Sequence, residues 1–149
     1  VGDPFPGYEH LEAEISNYIS EHRLKNCVTN LGFREDIASI LRTTDIFVLP
    51  SILPDSFPTV ILEAMAAECP VVATLSGGAS ELVVDGKTGF LIPINDLDSA
   101  VNALIKLILN QEIRHNFGRA GKNRVLKEFS LDSFSKNIEN HLWQQLGKN

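Results

Sequence analysis

The chain has 149 residues, a net charge of −6 and an isoelectric point near 5.1. With 44% hydrophobic and 21% charged residues, its composition is that of one soluble globular domain with a substantial core. The acidic balance argues against nucleic-acid binding, which needs basic surface, and no apolar run reaches the roughly 20 residues of a membrane span. The spacing of Cys27 and Cys69 suits neither a disulfide framework nor a metal site, so a cytoplasmic location is expected.

Helices and short β-branched strands alternate along the chain. Apolar residues at helical spacing predict helices over 9–22 and 34–42, a further helix over 58–67, and helix from residue 97 onward. Four apolar runs predict strands, and they cover residues 27–31, 45–50, 70–74 and 90–92.

This alternation predicts the fold class. Continuous apolar strands separated by helices are typical of a parallel sheet with helices on both faces, so we predict an α/β, Rossmann-like domain. Four strands are fewer than the five or six of most doubly wound sheets, and residues 1–7 have turn chemistry rather than the start of an element. We therefore expect a piece of a longer chain, with at least one strand upstream of Val1.

The helix predicted over 58–67 carries one charge, the carboxylate of Glu63. A helix that is apolar all round is typically buried all round, where an unpaired carboxylate is costly. We therefore expect Glu63 to have a partner. That partner is either a cation or amide of the protein, or a ligand in a cleft whose donors include sugar hydroxyls.

Loops that follow the strands hold the other candidate binding residues. Ligands of such sheets bind beyond the carboxyl ends of the strands, so we expect the loops 32–36, 51–59 and 76–79 to line one edge. In the middle loop, Pro58 is suited to start a helix, which leaves the N–H groups of Thr59 and Val60 available to an anion. The pair Gly77–Gly78 allows a backbone to approach a bulky ligand.

The motifs, taken in order, resemble one known family. Together they are similar to the carboxyl-terminal domain of retaining GT-B glycosyltransferases, the large family 4 or glycosyl transferases group 1, over about residues 1–129. The hallmark of that family is two acidic residues separated by seven others, here Asp55 and Glu63. The matching runs are Asp45-Ile-Phe-Val-Leu-Pro-Ser, Asp55-Ser-Phe-Pro-Thr-Val-Ile-Leu-Glu-Ala-Met-Ala-Ala, Pro70-Val-Val-Ala-Thr, Gly77-Gly78, Glu81-Leu-Val and Asp85-Gly-Lys-Thr-Gly-Phe-Leu.

The resemblance implies one half of a GT-B fold with a nucleotide-sugar donor site. Glu63 would hold the ribose hydroxyls and Asp55 hydroxyls of the transferred sugar, both as positioning residues rather than as a general acid and base. The loop holding Phe33 and Arg34 would border the base. The residues implied near the diphosphate and sugar are Ser56, Phe57, Pro58, Thr59, Val60, Gly77 and Gly78.

The resemblance also implies the chemistry. Such enzymes transfer a sugar from a uridine, guanosine or adenosine diphosphate donor to a hydroxyl acceptor, with retention and without a bound metal or other cofactor, in polysaccharide or glycolipid biosynthesis. Residues 1–149 would form the donor domain, ending in a C-terminal helix over 130–149. The groups that clamp the diphosphate and the N-terminal acceptor domain would precede Val1, so this chain alone is expected to be inactive.

Two positions depart from the family pattern. The first acid is commonly Glu and here is Asp55, which is one carbon shorter. Gly usually ends the helix before the next strand, where this chain has Glu68. Because a non-glycine residue in left-handed geometry is strained, a different helix end is predicted.

The same residues also allow functions of other classes to be compared. A non-catalytic sugar-nucleotide sensor or interaction domain derived from such a transferase is the main alternative. A receiver domain would need its acidic residue at the end of a strand, whereas Asp45 begins one, and an epimerase would need a different acid and histidine set. A basic group on the later helices is read as a solvated face or as a contact with anionic lipid at the cytosolic membrane face; it comprises Arg114, Arg119, Lys122, Arg124 and Lys127.

Overall fold

A computed structural model describes residues 1–4 and 6–147. The chain divides into two compact units, Val1–Ile37 and Ala38–Asn149. The elements in chain order are α1 (His10–Glu21), α2 (Ile37–Arg42), β1 (Phe47–Leu49), α3 (Thr59–Ala66), β2 (Val71–Thr74), α4 (Ala79–Leu82), β3 (Gly89–Ile92), α5 (Leu97–Leu109), α6 (Gln111–Glu128) and α7 (Leu131–Gln145).

The first unit contains α1 and the segment that leads to α2. Helix α1 agrees with the predicted 9–22, but the predicted strand over 27–31 is wrong. Those residues follow turns and run without regular structure, and Val28 and Leu31 are exposed. A β-branched run becomes a strand only when another strand satisfies its backbone groups, and no strand of the described structure pairs with it.

The predicted helix over 34–42 is shorter than expected and begins at Ile37. The guanidinium of Arg34 binds both carboxylate oxygens of Asp36, at 2.8 and 2.7 Å. Residues two apart do not face each other on a helix. This contact therefore belongs to an irregular segment ahead of α2.

The second unit is built on a parallel sheet in the order β1-β2-β3. The register pairs Phe47 with Val71 and Val71 with Gly89. All four residues of the central strand β2 are buried, which shows that both faces of the sheet are covered. The predicted α/β fold with a parallel sheet flanked by helices is confirmed, although the sheet has three described strands rather than four.

Strand β1 covers part of the predicted run 45–50 and is less buried than β2. Val48 is 39% exposed, while Phe47 and Leu49 are only half-buried. The reason is that β1 is an edge strand whose only partner in the described sheet is β2. One core cluster lies on β2, β3 and α5, where Val72, Ile92, Ala103 and Leu107 are buried together.

The end of α3 also differs from the prediction. Glu68 adopts a left-handed conformation with φ of 63°, which was expected to be avoided. The N–H of Glu68 donates to the carbonyl of Met65 and that of Cys69 to the carbonyl of Ala64, at 3.0 and 2.9 Å. These two bonds make a Schellman motif, so this helix ends in the usual way with a glutamate where glycine is favoured.

Helix α6 packs against the turn at Glu68. The Cα of Gly118 packs so closely on the Glu68 carbonyl that a Cβ would collide with it, and a Cβ on Gly121 would lie 3.2 Å from Met65. Lys122 forms an ion pair with the Glu68 carboxylate at 2.7 Å. The two helices are therefore packed backbone to backbone, which fixes the position of α3.

Candidate functional site

The loops that follow β1 and β2 meet at the carboxyl edge of the sheet, as predicted for two of the three candidate loops. We call them the β1–α3 loop (residues 50–58) and the β2–α4 loop (residues 75–78). The N–H of Gly78 donates to the carbonyl oxygen of Asp55 at 2.8 Å. The hydroxyl of Thr74, the last residue of β2, also donates to the carbonyl of Ser51. The two loops are thus joined by both backbone and side-chain bonds.

The two glycines are needed because the β1–α3 loop lies directly on them. A Cβ on Gly77 would lie 2.8 Å from the backbone nitrogen of Asp55, and one on Gly78 would lie 2.9 Å from the carbonyl carbon of Ser56. Gly77 also has a φ of +52°. From the sequence, a ligand is expected to approach these two glycines. In the structure, the backbone that approaches the glycines is the chain's own.

Asp55 closes a turn in the β1–α3 loop. Its Oδ1 accepts the N–H of Phe57 at 2.9 Å, which is an Asx turn of the kind that short acidic side chains form. A glutamate would be one carbon too long for this turn. The side chain is exposed, and its second oxygen has no partner among residues 1–4 and 6–147.

Helix α3 begins with unpaired donors beside this turn. Pro58 is the N-cap residue and makes no side-chain cap. The N–H groups of Thr59 and Val60 have no hydrogen-bond partner in the described part of the chain. Free N–H groups at the positive end of a helix attract anions, so the start of α3 is suited to an anionic ligand; binding of an anion there stays a prediction. Of the preceding residues, Ser56 and Phe57 are exposed and Pro58 is buried.

Glu63 is exposed, which corrects the expectation that it is a buried charge. The buried residues of α3 are Ile61, Ala64 and Met65, and they face β2 and α6. Thr59, Glu63 and Ala66 form the exposed stripe, one turn apart at positions i, i+4 and i+7. The sequence of this helix looks apolar on every side because alanine occupies part of its exposed face. The carboxylate of Glu63 has no protein partner among the residues described.

A shallow cavity of about 330 Å³ lies beside Glu63, between α2 and α3. Glu63 and Arg42 line this cavity together with apolar side chains. The two charged groups do not form an ion pair in the described structure. Within the described residues of the second unit, Glu63 therefore borders a cavity and has no protein cation or amide as a partner. The cavity wall comprises Ala38, Leu41, Ala66 and Ala67.

The remaining predicted residues, Phe33 and Arg34, belong to the first unit. The N–H of Phe33 donates to Asp3 Oδ1 at 3.0 Å, and the residue is 68% exposed. Arg34 is held by Asp36, and its hydrogen bonds to that carboxylate keep the pKa of Asp36 below its ordinary value. Their contact with a nucleobase stays a prediction.

Sequence reasoning did not single out the residues that support the site from α6. Arg124 was grouped with a basic surface, yet its guanidinium donates to the carbonyls of Glu81 and Leu82. Arg114 likewise donates to the carbonyls of Leu107 and Ile108. Because these side chains bind the ends of neighbouring helices, the basic group is largely structural. The sequence holds one general signal for this role: the last carbonyl groups of helices such as α4 and α5 have no partner within the helix and need donors from elsewhere.

Comparison with known proteins places the chain in a family. A model described as glycosyl transferases group 1 matches residues 4–124. The UDP-Gal:alpha-D-GlcNAc-diphosphoundecaprenol alpha-1,3-galactosyltransferase of Escherichia coli is 35% identical over 115 residues, which are 77% of this chain and 29% of that protein. The lipopolysaccharide 1,2-N-acetylglucosaminetransferase of Salmonella typhimurium is 28% identical over 148 residues, 95% of this chain and 38% of that relative.

Solved structures show the same fold. The crystal structure of Anabaena HepE in complex with UDP and glucose matches with a TM-score of 0.87 at 30% identity, covering 95% of this chain and 38% of that one. The HepE complex with UDP-glucose gives the same TM-score of 0.87. The chain spans between 29% and 38% of the length of the two curated relatives described above.

Proposed function

The chain belongs to the glycosyl transferases group 1 family, and we propose that it is the donor-binding domain of a retaining GT-B transferase. The larger enzyme would transfer a hexosyl group from a nucleoside diphosphate sugar to a hydroxyl acceptor. The chain covers a minor part of its relatives, so this activity is proposed for a longer protein. We propose that residues 1–149 alone do not catalyse transfer.

The exposed stripe of α3 carries the proposal. Thr59 and Glu63 are one turn apart, which separates their Cα atoms by about 6 Å along the axis. Helical side chains lean toward the N-terminus, so the carboxylate of Glu63 leans toward the unpaired N–H groups of the first turn. Acceptors for hydroxyls thus lie beside donors for an anion. A nucleoside diphosphate presents that combination, with ribose hydroxyls next to phosphates.

The roles of the individual residues follow from this arrangement. Glu63 would accept hydrogen bonds from the ribose hydroxyls. The N–H groups of Thr59 and Val60 would bind the diphosphate at the helix start. Asp55, with one oxygen committed to its turn, would offer the other to a hydroxyl of the sugar. The other proposed contacts are Ser56, Phe57, Pro58, Gly77 and Gly78 around the diphosphate and sugar, and Phe33 and Arg34 at the base.

The donor is proposed to be a UDP-, GDP- or ADP-sugar. HepE, at 30% identity, is solved with UDP-glucose, and this favours UDP-glucose as the first compound to test. Binding is proposed to need no metal, because backbone N–H groups at a helix start neutralise part of the phosphate charge. No helix in the described part of the chain is long and apolar enough to cross a membrane. From the cysteine usage described above, we propose that the larger enzyme is cytoplasmic.

Calorimetric titration of the chain tests the proposal. The wild type is expected to bind one of the three nucleotide sugars weakly, and Glu63→Ala to abolish detectable binding, since a hydrogen bond to a charged group contributes about tenfold to a hundredfold in affinity. The exposed helical position predicts an unchanged melting temperature. Glu112→Ala, at an exposed position in the first turn of α6, is the matched control.

The outcomes separate the possibilities. Equal binding by wild type and Glu63→Ala would refute the role of Glu63. Transfer to an acceptor by the full-length protein would support the enzyme over the sensor or interaction domain. Binding without turnover by the full-length protein would instead favour the sensor.

A further inference from the structure

A stack of two aromatic rings and a guanidinium joins the β1–α3 loop to the end of α6. The ring of Phe57 lies 6.2 Å from that of Phe129, with the planes tilted by 55°. The guanidinium of Arg124 lies 5.3 Å from the centroid of the Phe129 ring. Both separations are within the range of favourable aromatic and cation–π contacts. We call this group the Phe57–Phe129–Arg124 stack.

Arg124 is held on its other side by the last turn of α4. Its side chain donates to the carbonyl oxygens of Leu82 at 3.0 Å and Glu81 at 2.8 Å, and it pairs with Glu128 at 2.6 Å. Carbonyls at a helix end have no partner within the helix. The planar guanidinium can bind them and stack on a ring at once, which an ammonium does poorly.

The two loops of the proposed donor site are therefore both anchored to α6. The β1–α3 loop is anchored through Phe57 on Phe129. The β2–α4 loop is anchored through α4. This helix starts directly after Gly78, and the carbonyls at its end accept hydrogen bonds from Arg124. Phe129 and Arg124 lie outside every set of residues assigned to the donor.

From these contacts we infer that Arg124 and Phe129 are positioning residues for donor binding. They keep the β1–α3 loop ordered before the nucleotide sugar arrives. Phe57 is 43% exposed, and its ring contact with Phe129 adds a side-chain restraint to the backbone bonds that hold this loop. A loop that is already ordered avoids the entropy loss of ordering on binding. This inference rests on the proposed function, since it concerns the affinity of the same site.

The test uses the full-length protein with Phe129→Leu and Arg124→Lys. Phe134→Leu is the matched control, because Phe134 is 65% exposed on α7 and loses the same ring. Donor affinity is measured by calorimetry with UDP-, GDP- and ADP-sugars, and loop order by hydrogen exchange of the peptide covering residues 55–60. Phe129→Leu and Arg124→Lys are each expected to weaken donor binding about threefold to tenfold and to speed exchange in that peptide. Phe134→Leu is expected to change neither quantity.

A double-mutant cycle adds a readout that general destabilisation would not give. Phe57→Leu and Phe129→Leu remove the same contact, so the double variant is expected to bind donor no more weakly than either single variant. Should Phe129→Leu fail to fold, Arg124→Lys, which keeps both rings and lies outside the proposed donor contacts, is compared with Phe134→Leu instead.

The failures are distinguishable. If the wild type binds donor and Phe129→Leu binds it equally well, the positioning role is overturned and the proposed function stays intact. Unchanged hydrogen exchange of residues 55–60 in Phe129→Leu would have the same consequence. If the wild type binds none of the three sugars, the proposed function fails. The role in donor positioning then fails with it, whatever the loop exchange shows.

Discussion

Gly78→Ala should be among the most destabilising single-methyl changes in the second unit. The backbone of Gly78 has a φ of −72°, which alanine adopts without strain, so the whole penalty is steric. A Cβ there would lie 2.9 Å from the carbonyl carbon of Ser56 and 3.3 Å from the Cα of Phe57. Each is shorter than an ordinary contact, and both neighbours are backbone atoms that cannot rotate away.

The magnitude follows from two terms. Forcing a methyl into a packed position costs about 1 to 3 kcal/mol. Displacing the β1–α3 loop also weakens the bond from Gly78 N–H to the carbonyl of Asp55, which contributes about 0.5 to 1.5 kcal/mol. We therefore expect the free energy of unfolding to fall by roughly 1.5 to 4.5 kcal/mol, together with a loss of donor affinity.

Gly86→Ala is the control that separates sterics from backbone strain. Gly86 has a φ of +70° and nothing within 4 Å of a built Cβ, so it carries only a left-handed penalty of about 1 to 2 kcal/mol. Urea unfolding of the two variants and the wild type measures the difference. If Gly78→Ala is no less stable than Gly86→Ala, the predicted steric penalty is wrong, because the β1–α3 loop would then move aside at little cost.

Two further predictions concern the scaffold. Glu68→Gly is expected to raise the melting temperature by about 2 to 4 °C, because relief of the left-handed strain outweighs loss of the exposed ion pair with Lys122. Lys122→Met removes the ion pair alone and is the control. A melting temperature of Glu68→Gly below that of the wild type would contradict this prediction. The Asp96 carboxylate caps α5, and its hydrogen bonds from the N–H and hydroxyl of Ser99 lower its pKa. A group with a lowered folded pKa stabilises above its unfolded pKa of about 3.9 and loses that contribution as the pH falls through the folded pKa. The stability of the wild type relative to Asp96→Asn, which keeps a capping oxygen, should therefore decline as the pH falls from about 5 through the folded pKa, and a constant difference in urea midpoints over that range would refute the assignment.

The elements that could be predicted are those with a local cause. Strand β2 is an apolar β-branched run in the centre of the sheet, and helices α5 to α7 begin at side chains that cap their own first turn, Asp96, Asn110 and Ser130. Such signals are complete within a few residues. The segment 27–31 carries the same β-branched signal as β2 but forms no ladder, because pairing depends on a neighbour that its own sequence does not specify.

The candidate site was predictable in position but not in construction. The start of α3 and the two loops could be located from turn chemistry and from the carboxyl ends of the strands. That Gly77 and Gly78 receive the backbone of Asp55 and Ser56 could not, because the contact joins segments more than 20 residues apart. The roles of Arg124 and Phe129 depend on similar long-range contacts, so a local pattern could identify them only as a basic side chain and an apolar one.

Glu63 shows how a sequence argument can reach a residue through a wrong premise. Its selection rested on the cost of burying a charge, yet α3 exposes it on a stripe with Thr59 and Ala66. An exposed carboxylate needs no partner, so the energetic reason for a ligand disappears. What replaces it is geometry: the same stripe holds the unpaired N–H groups of the first turn about 6 Å away along the axis. Binding there should therefore depend on the register of Glu63 with the helix start. Exchanging Glu63 with Ala64 would keep the composition of the helix but turn the carboxylate by about 100° toward the buried face. It should abolish donor binding and lower stability, whereas Glu63→Ala should abolish binding alone.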